Sequence, residues 1–195
     1  VDAGDTLVFT LAGSASGNFG SLNLSGDGTY QYQVNANAVD ALARGESGSD
    51  AFSIVIDDGN GGTATETFLV NVTGKNDTPQ VVNALSATAT EDSADVTIDL
   101  LDTASDIDAS DIIDISNLQF FVDGTLSSGG GTGIPAGLSL SGDDLTLEPD
   151  ASVFQSLGSG DSQVITLNYD IVDDSGQPND TVAQSLTITV NGVDD

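Results

Sequence analysis

The amino-acid sequence predicts an all-β protein of two tandem β-sandwich domains, the first of which lacks its N-terminal strand. Three observations favour this class. Apolar residues alternate with polar ones over segments of strand length, Gly- and Asp-rich turns separate these segments, and the same order of segments occurs twice. The 195 residues suffice for two sandwich domains of roughly 100 residues each. We place the domains at residues 1–77 and 78–195.

The first domain alternates strand-like segments with turn signals. Turn residues lie at 17–18 and 25–28, and the Gly-rich segment 57–62 predicts a hairpin. Residues 35–43 are the one segment here that favours a helical turn. The apolar residues that alternate along the predicted strands are Leu7, Phe9, Leu11, Tyr30, Tyr32, Val34, Phe52, Ile54, Ile56, Phe68, Val70 and Val72.

The second half of the chain repeats the order of the first, which predicts two copies of one domain. Residues 1–5 match 107–111, 22–27 match 138–143, 42–47 match 157–162, 52–58 match 167–173, and 68–77 match 186–195. A Gly/Ser loop near residues 123–133 accounts for the greater length of the second copy. Nothing in the first copy matches residues 80–105, so we expect its first strand upstream of Val1. The chain has no Met and is expected to be a piece of a longer protein.

Composition narrows the possible functions. The formal net charge of −29 argues against binding to nucleic acid or insertion into an anionic membrane, and favours cations as partners. The absence of Cys excludes disulfides, and the absence of both Cys and His argues against zinc sites of the usual kind. Without His, Cys or a G-x-S-x-G motif, we expect no enzyme activity.

An acidic cluster follows a short linker near the middle of the chain. The linker, residues 74–79, ends in Pro79, which favours an extended and stiff connection. The cluster has the pattern Asp106-x-Asp108-x-x-Asp111, whose carboxylates are hard oxygen ligands that suit Ca²⁺. It is not an EF-hand loop, because an Asp occupies the position that requires Gly. The alternative is a solvated turn, but we favour a calcium site that stiffens the junction between the domains.

The combined pattern resembles a known family. The segments "GDGTYQYQV", "ALARGES" and "DAFSIVIDDGNGGTATETFLVNVTGKNDTP" resemble the VCBS/cadherin-like (bacterial Ig-like) tandem repeats of large RTX-type bacterial surface adhesins, over nearly all of residues 1–79. The second copy, with "ATEDSADVTIDLLDTASDIDASD", is similar to more divergent cadherin-like members. The resemblance implies Ig/cadherin-like sandwiches in tandem, Ca²⁺ between them, and secretion to the bacterial cell surface.

The resemblance also implies which residues bind calcium. At the junction between the two domains these are Asn76, Asp77, Asp106, Asp108 and Asp173. Glu91 matches a first-strand Glu that faces the far end of its domain, where it is expected to act with Asp194 and Asp195. Asp2 and Asp58 are expected to form half of a site above the first domain. The family's Leu-Asp-Arg-Glu motif is altered to Leu42-Ala43-Arg44-Gly45-Glu46 here, so Glu46 is the candidate ligand of the first domain.

These features predict calcium-stiffened extender repeats that project a distal binding region from the cell. The expected partners are neighbouring repeats of the same chain, and the sequence leaves open which host, surface or glycan ligand the distal region binds. One alternative is that the second domain is itself a ligand-binding module, for example for carbohydrate, through its Gly/Ser loop.

Overall fold

The computed structural model of the protein describes residues 6–127 and 133–194. In that part of the chain it contains fifteen β-strands and one short α-helix, so the predicted all-β fold is confirmed. Contacts between Cα positions divide the chain into two compact units. Unit 1 comprises Val1–Asn76 with Asp108–Ser110, and unit 2 comprises Asp77–Ile107 with Asp111–Asp195.

Unit 1 contains a three-stranded sheet and a separate β-hairpin. Its elements are β1 (Val8–Leu11), β2 (Gly20–Leu24), β3 (Tyr30–Val34), α1 (Ala36–Asp40), β4 (Ser47–Asp57) and β5 (Thr63–Thr73). The sheet has the order β1-β4-β5, and β2 pairs with β3. The helix α1 lies in the segment predicted to be a helical turn. No helix of the described residues is long and apolar enough to cross a membrane.

The long β4–β5 hairpin forms because apolar residues alternate along both strands. Phe52 lies opposite Phe68 in the register, and both face β3. The ring centroid of Tyr32 lies 6.1 Å from that of Phe52, and the ring centroid of Tyr30 lies 4.8 Å from that of Phe68. These ring contacts pack the β2–β3 hairpin against the sheet. At the turn, Gly59 has a φ of 77°, a value that favours glycine.

Unit 2 is a larger sandwich. Its strands are β6 (Gln80–Val81), β7 (Leu85–Thr90), β8 (Val96–Asp99), β9 (Ala104–Ser105), β10 (Ile113–Val122), β11 (Thr125–Leu126), β12 (Leu138–Ser141), β13 (Asp144–Leu147), β14 (Ser162–Asp173) and β15 (Thr181–Asn191). One sheet has the order β11-β10-β14-β15-β7 and another the order β12-β13-β8, while β6 pairs with β9.

The core of unit 2 lies between its two larger sheets. Leu145 and Leu147 from β13 pack with Leu167 and Leu186 from β14 and β15, and all four are buried. Burying a Leu side chain completely is worth about 1.5–3 kcal/mol relative to leaving it exposed. The buried Tyr169 keeps its polar end satisfied, because its hydroxyl donates to the Leu100 carbonyl oxygen at 2.7 Å. Burial and the charge of Asp99 raise the pKa of Tyr169 to about 12.

The two units share the order and register of their common strands. Each strand of unit 1 has a counterpart in unit 2: β1 corresponds to β10, β2 to β12, β3 to β13, β4 to β14 and β5 to β15. The opposed pair Phe52–Phe68 corresponds to the pair Leu167–Leu186. Residues 80–105, which have no match in the first copy, contribute β7 to one sheet and β8 to the other. In the described residues β5 pairs only with β4 and β3 only with β2, so unit 1 has no counterpart of β7 or β8 there.

Part of the segment predicted to be a Gly/Ser loop forms β-structure instead. Its first residues form a short hairpin, in which β11 pairs with the end of β10. The Ser127 hydroxyl donates to the Gly133 carbonyl oxygen at 3.3 Å. Residues 128–132 lie outside the described residues, so the alternative of a ligand-binding loop stays a prediction.

Candidate metal-binding residues

Unit 1 places Glu46 at the end where β4 begins and β5 ends. The Ala43 backbone N–H donates to Glu46 Oε2 at 3.1 Å, and the Gly74 N–H donates to the Glu46 carbonyl oxygen at 2.9 Å. Asp161 makes the same contacts in unit 2, with the Gly158 and Gly192 N–H groups. Glu46 therefore closes the loop before β4, and one of its carboxylate oxygens already accepts a hydrogen bond.

Two further candidates belong to unit 1. Asn76 lies two residues beyond Gly74 and is half-buried. Asp108 is only 2% exposed, and the neighbouring Ala109 N–H donates to the Ala41 carbonyl oxygen at 3.2 Å. The structure therefore places Asp108 near the same loop as Glu46.

Asp173 marks one end of unit 2, at the last residue of β14. It is buried, and its Oδ1 accepts a hydrogen bond from the Ser175 N–H at 2.8 Å. Ile113, the first residue of β10, lies opposite it in the register. Asp106 follows β9, and Asp77 precedes β6; both are half-buried. Of the five predicted ligands of the junction, two are therefore buried and three are half-buried.

Glu91 lies at the opposite end of the same sheet, immediately after β7. Its N–H donates to the Asn191 carbonyl oxygen at 2.9 Å, and its Oε1 accepts from the Val193 N–H at 2.7 Å. The side chain is 2% exposed, and Oε2 is buried without a hydrogen-bond partner in the described part of the chain. Asp194 follows Val193 directly and is exposed, while Asp195 lies outside the described residues. Glu91 and Asp194 therefore lie at the same end of unit 2, the end away from Asp173.

Asp58 stabilises the β4–β5 turn. Its Oδ1 accepts hydrogen bonds from the Asn60 N–H at 2.8 Å and the Gly62 N–H at 2.9 Å. These hydrogen bonds hold the pKa of the Asp58 carboxyl below its ordinary value. Asp2, its predicted partner, lies outside the described residues. A metal site at these two residues stays a prediction.

The described residues contain no group of three or more His, Cys, Asp or Glu side chains arranged to hold a metal ion. The chemistry of the donor set still fits calcium, because carboxylate and amide oxygens are its usual ligands. The buried, unpartnered oxygen of Glu91 is the feature of the structure that fits a cation most directly. This oxygen has no hydrogen-bond partner among the residues that the structure describes, and the whole chain holds only two basic residues against 31 acidic ones.

A buried carboxylate in unit 1 is absent from the predicted set. Asp50, 3% exposed, accepts hydrogen bonds from the Tyr32 hydroxyl and the Asn18 N–H, both at 2.7 Å, and from the Phe19 N–H at 3.1 Å. A side chain at Gly17 would collide with this carboxylate. The sequence does indicate that Asp50 is buried, because alternation places it on the same face of β4 as Phe52 and Ile54. Both of its oxygens are occupied, so its role is structural.

The hydrogen bond between Tyr32 and Asp50 shifts the pKa values of both residues. Burial alone would raise the pKa of the Asp50 carboxyl, but the Tyr32 hydroxyl and three backbone N–H groups outweigh burial and lower it below its ordinary value. Burial and the hydrogen bond to Asp50 raise the pKa of Tyr32 to about 12. Both residues therefore keep their ordinary neutral-pH forms, ionised Asp50 and neutral Tyr32, over a wide range of pH.

Comparison with known proteins supports the fold. Residues 1–71 match the model of a family described as bacterial Ig domain. Human mucin-like protocadherin EC1-2 is 16% identical with a TM-score of 0.55, over 96% of this chain and 85% of that chain. Human CDH23 EC21-23 is 13% identical with a TM-score of 0.51, over 97% of this chain and 59% of that one. No curated protein matches the chain.

At these identities the likeness to the two human structures shows the fold alone. The predicted Ig/cadherin-like sandwich is confirmed by it, while the adhesin context and calcium binding stay predictions. The protein therefore has the fold of tandem cadherin-like β-sandwiches, and its residues 1–71 are similar to the bacterial Ig domain family.

Proposed function

We propose that the two units are consecutive extender repeats of a secreted bacterial cell-surface adhesin, stiffened by Ca²⁺ and serving to hold a distal binding region away from the cell. The cadherin-like fold and the similarity of residues 1–71 to bacterial Ig domains support a structural, non-catalytic role. The net charge of −29 supports a cation as the bound species. Extracellular calcium modules bind at about 10⁻⁴–10⁻³ M, which fits a role outside the cell.

The observation that carries the proposal is the buried Oε2 of Glu91. A buried polar atom without a hydrogen bond costs about 1–3 kcal/mol, and more if it is charged. A cation bound at this oxygen removes that cost. The adjacent Asp194 offers a second hard oxygen ligand at the same end of unit 2.

The proposed second site comprises Asn76, Asp77, Asp106, Asp108 and Asp173. Asp108 and Asp173 are buried carboxylates, and carboxylate oxygens are the hard ligands that calcium prefers. Since the described residues form no ready group of three acidic ligands, the proposal requires the ion to draw its ligands together.

Thermal unfolding with and without calcium tests the proposal. We expect millimolar-scale Ca²⁺ to raise the melting temperature relative to chelator, because a ligand at about 100 times its Kd stabilises the folded state by ~2.7 kcal/mol. Glu91→Gln should reduce this increase. In chelator the same variant should be at least as stable as the wild type, because a neutral amide costs less to bury than an unpaired carboxylate.

Asp95→Asn is the matched control, since Asp95 is exposed and lies four residues from Glu91. It removes the same charge and should leave the calcium response unchanged. Equal melting temperatures in chelator and in calcium would contradict the proposed metal binding. An equal calcium response of wild type and Glu91→Gln would remove Glu91 from the ligand set.

A further inference from the structure

The chain contains two Asn-Gly pairs, Asn60-Gly61 and Asn191-Gly192. An asparagine that precedes glycine is chemically labile, because the backbone nitrogen of the following residue can attack the side-chain amide carbon. Glycine has no Cβ to obstruct that approach and adopts the backbone conformations that the attack requires. Since the two pairs have the same residues, a difference in their reactivity reports on the structure around each of them.

The first pair lies in the turn between β4 and β5, beyond the last residues that the two strands pair, and both Asn60 and Gly61 are exposed. Gly61 has a φ of 100°, and a Cβ built on it would have no neighbouring atom within 4 Å. The Asp58 carboxylate holds the turn by accepting from the N–H groups of Asn60 and Gly62. Because these hydrogen bonds are local, the turn can change conformation around Asn60 without breaking strand pairing.

The second pair lies at the end of β15, where Asn191 is paired with both neighbouring strands, β14 and β7. The Asn191 carbonyl oxygen accepts from the Glu91 N–H at 2.9 Å, and the Gly192 N–H donates to the Asp161 carbonyl oxygen at 3.0 Å. A Cβ on Gly192 would collide with the Gly158 carbonyl oxygen. The nitrogen that would attack Asn191 is therefore hydrogen-bonded within the fold and closely packed.

We propose that Asn60 is a site of spontaneous covalent modification, where asparagine converts to isoaspartate and aspartate, while the fold protects Asn191. The Gly61 nitrogen gives up its proton to hydroxide and bonds to the Asn60 Cγ. The bond from Cγ to the side-chain nitrogen breaks, and that nitrogen takes a proton from water and leaves as ammonia. Water then opens the resulting cyclic succinimide at either carbonyl carbon, which gives isoaspartate or aspartate. The only co-reactant is water, and no oxidant or reductant takes part.

The modification changes the turn in two ways. Isoaspartate routes the main chain through the former side chain, which adds a methylene group to the backbone between Asp58 and Gly62. In the unmodified chain the Asp58 N–H donates to the Gly62 carbonyl oxygen at 3.1 Å and closes this turn. Both products also place a new negative charge beside Asp57 and Asp58. Conversion should therefore loosen the end of the β4–β5 hairpin, and this inference does not depend on calcium binding.

Ageing of the full chain in chelator tests the proposal. The protein is incubated at neutral and at alkaline pH, and peptide mapping with electron-transfer fragmentation distinguishes asparagine, aspartate and isoaspartate at each position. We expect Asn60 to convert at least about tenfold faster than Asn191, since an opening free energy of only about 1.4 kcal/mol at Asn191 gives that ratio. Both products should form at Asn60, and the rate should rise with hydroxide concentration.

Two matched variants and a denaturant provide the controls. Asn60→Gln lengthens the side chain, disfavours ring closure and should remove most of the isoaspartate that the chain forms. Asn191→Gln makes the same change at the protected pair and should leave the yield unaltered. In denaturant the two Asn-Gly pairs of the wild type should convert at comparable rates, because neither keeps its folded surroundings. The proposal is overturned by absence of conversion at Asn60, by equal rates of both pairs in the folded chain, by a ratio that denaturant does not change, or by aspartate without isoaspartate.

Discussion

At the scale of single residues, buried carboxylates distinguish the two units. Asp50 lies inside unit 1 with both oxygens hydrogen-bonded, and so acts as a structural link between β3, β4 and the residue 17–20 turn. Glu91 has one satisfied oxygen and one buried oxygen without a partner. The same functional group is therefore fully hydrogen-bonded at one position, while at the other one of its oxygens has no hydrogen-bond partner in the described residues.

Replacement of Asp50 tests its structural role. Asp50→Ala leaves the Tyr32 hydroxyl and the Asn18 and Phe19 N–H groups without this acceptor, so we expect unit 1 to lose about 2–4 kcal/mol of unfolding free energy. Tyr32→Phe removes one of these hydrogen bonds and should cost less. Asp40→Ala, at an exposed position, should be close to neutral. Denaturant unfolding followed by exchange of β3 and β4 amides measures all three, and an Asp50→Ala protein as stable as Asp40→Ala contradicts the assignment.

The pH dependence of stability follows from the same residue. The pKa of Asp50 is lower in the folded protein than its unfolded value of about 3.9, so near that pH the unfolded chain binds more protons. Its contribution is complete above the unfolded pKa and is lost as pH falls through the folded pKa. The difference in unfolding free energy between wild type and Asp50→Asn should therefore shrink on acidification. A difference that stays constant from neutral to acidic pH would show that the Asp50 pKa is not lowered.

At the scale of strands and hairpins, alternation and turn chemistry predicted most of the fold. The pattern of Phe52, Ile54 and Ile56 with a Gly-rich turn indicates a hairpin whatever surrounds it, because it depends on local properties. The parallel addition of β7 to β15 could not be predicted, since partners distant in sequence are chosen by tertiary packing.

The sequence predicts which residue types form the candidate site but not the hydrogen bonds that those residues make. The resemblance assigned Glu91 and Asp194 to one group, and the hydrogen bond from Val193 to Glu91 places them at the same end of unit 2. It did not indicate that Glu46 and Asp58 already accept backbone hydrogen bonds, because those depend on loop geometry. Asp50 is absent from the predicted set because apolar alternation predicts the strand but not the hydrogen-bond partners of a polar residue on its inward face.

In the described part of the chain β5 pairs only with β4 and β3 only with β2, and these open edges predict which unit a protease cleaves first. Local opening is easiest where few apolar side chains are buried, and unit 1 has exposed Tyr30 and Leu69 where unit 2 has a closed core. We expect limited proteolysis of the full chain in chelator to cut within unit 1 before unit 2, with mass spectrometry locating the first cuts. Initial cuts between β14 and β15, leaving unit 1 intact, would show that the open edges do not weaken it.

At the scale of the whole molecule, an extender works only if its repeats do not hinge freely. Short linkers allow relative domain motion unless the interface is large or otherwise fixed. In the proposed function, ligands from the linker (Asn76 and Asp77), from the loop (Asp106 and Asp108) and from the end of β14 (Asp173) share calcium. Length should then depend on calcium, while the fold of each unit does not.

Small-angle scattering with and without calcium measures this dependence. The wild type should have a larger radius of gyration and a narrower distribution of lengths in millimolar-scale Ca²⁺ than in chelator. Asp108→Ala removes a buried carboxylate and no apolar core residue, so both units should stay folded while the calcium-dependent extension is lost. Asp95→Ala removes an exposed carboxylate and should extend as the wild type does. A wild type that is equally extended in chelator, or an Asp108→Ala protein that responds fully to calcium, would show that these residues do not control the length of the molecule.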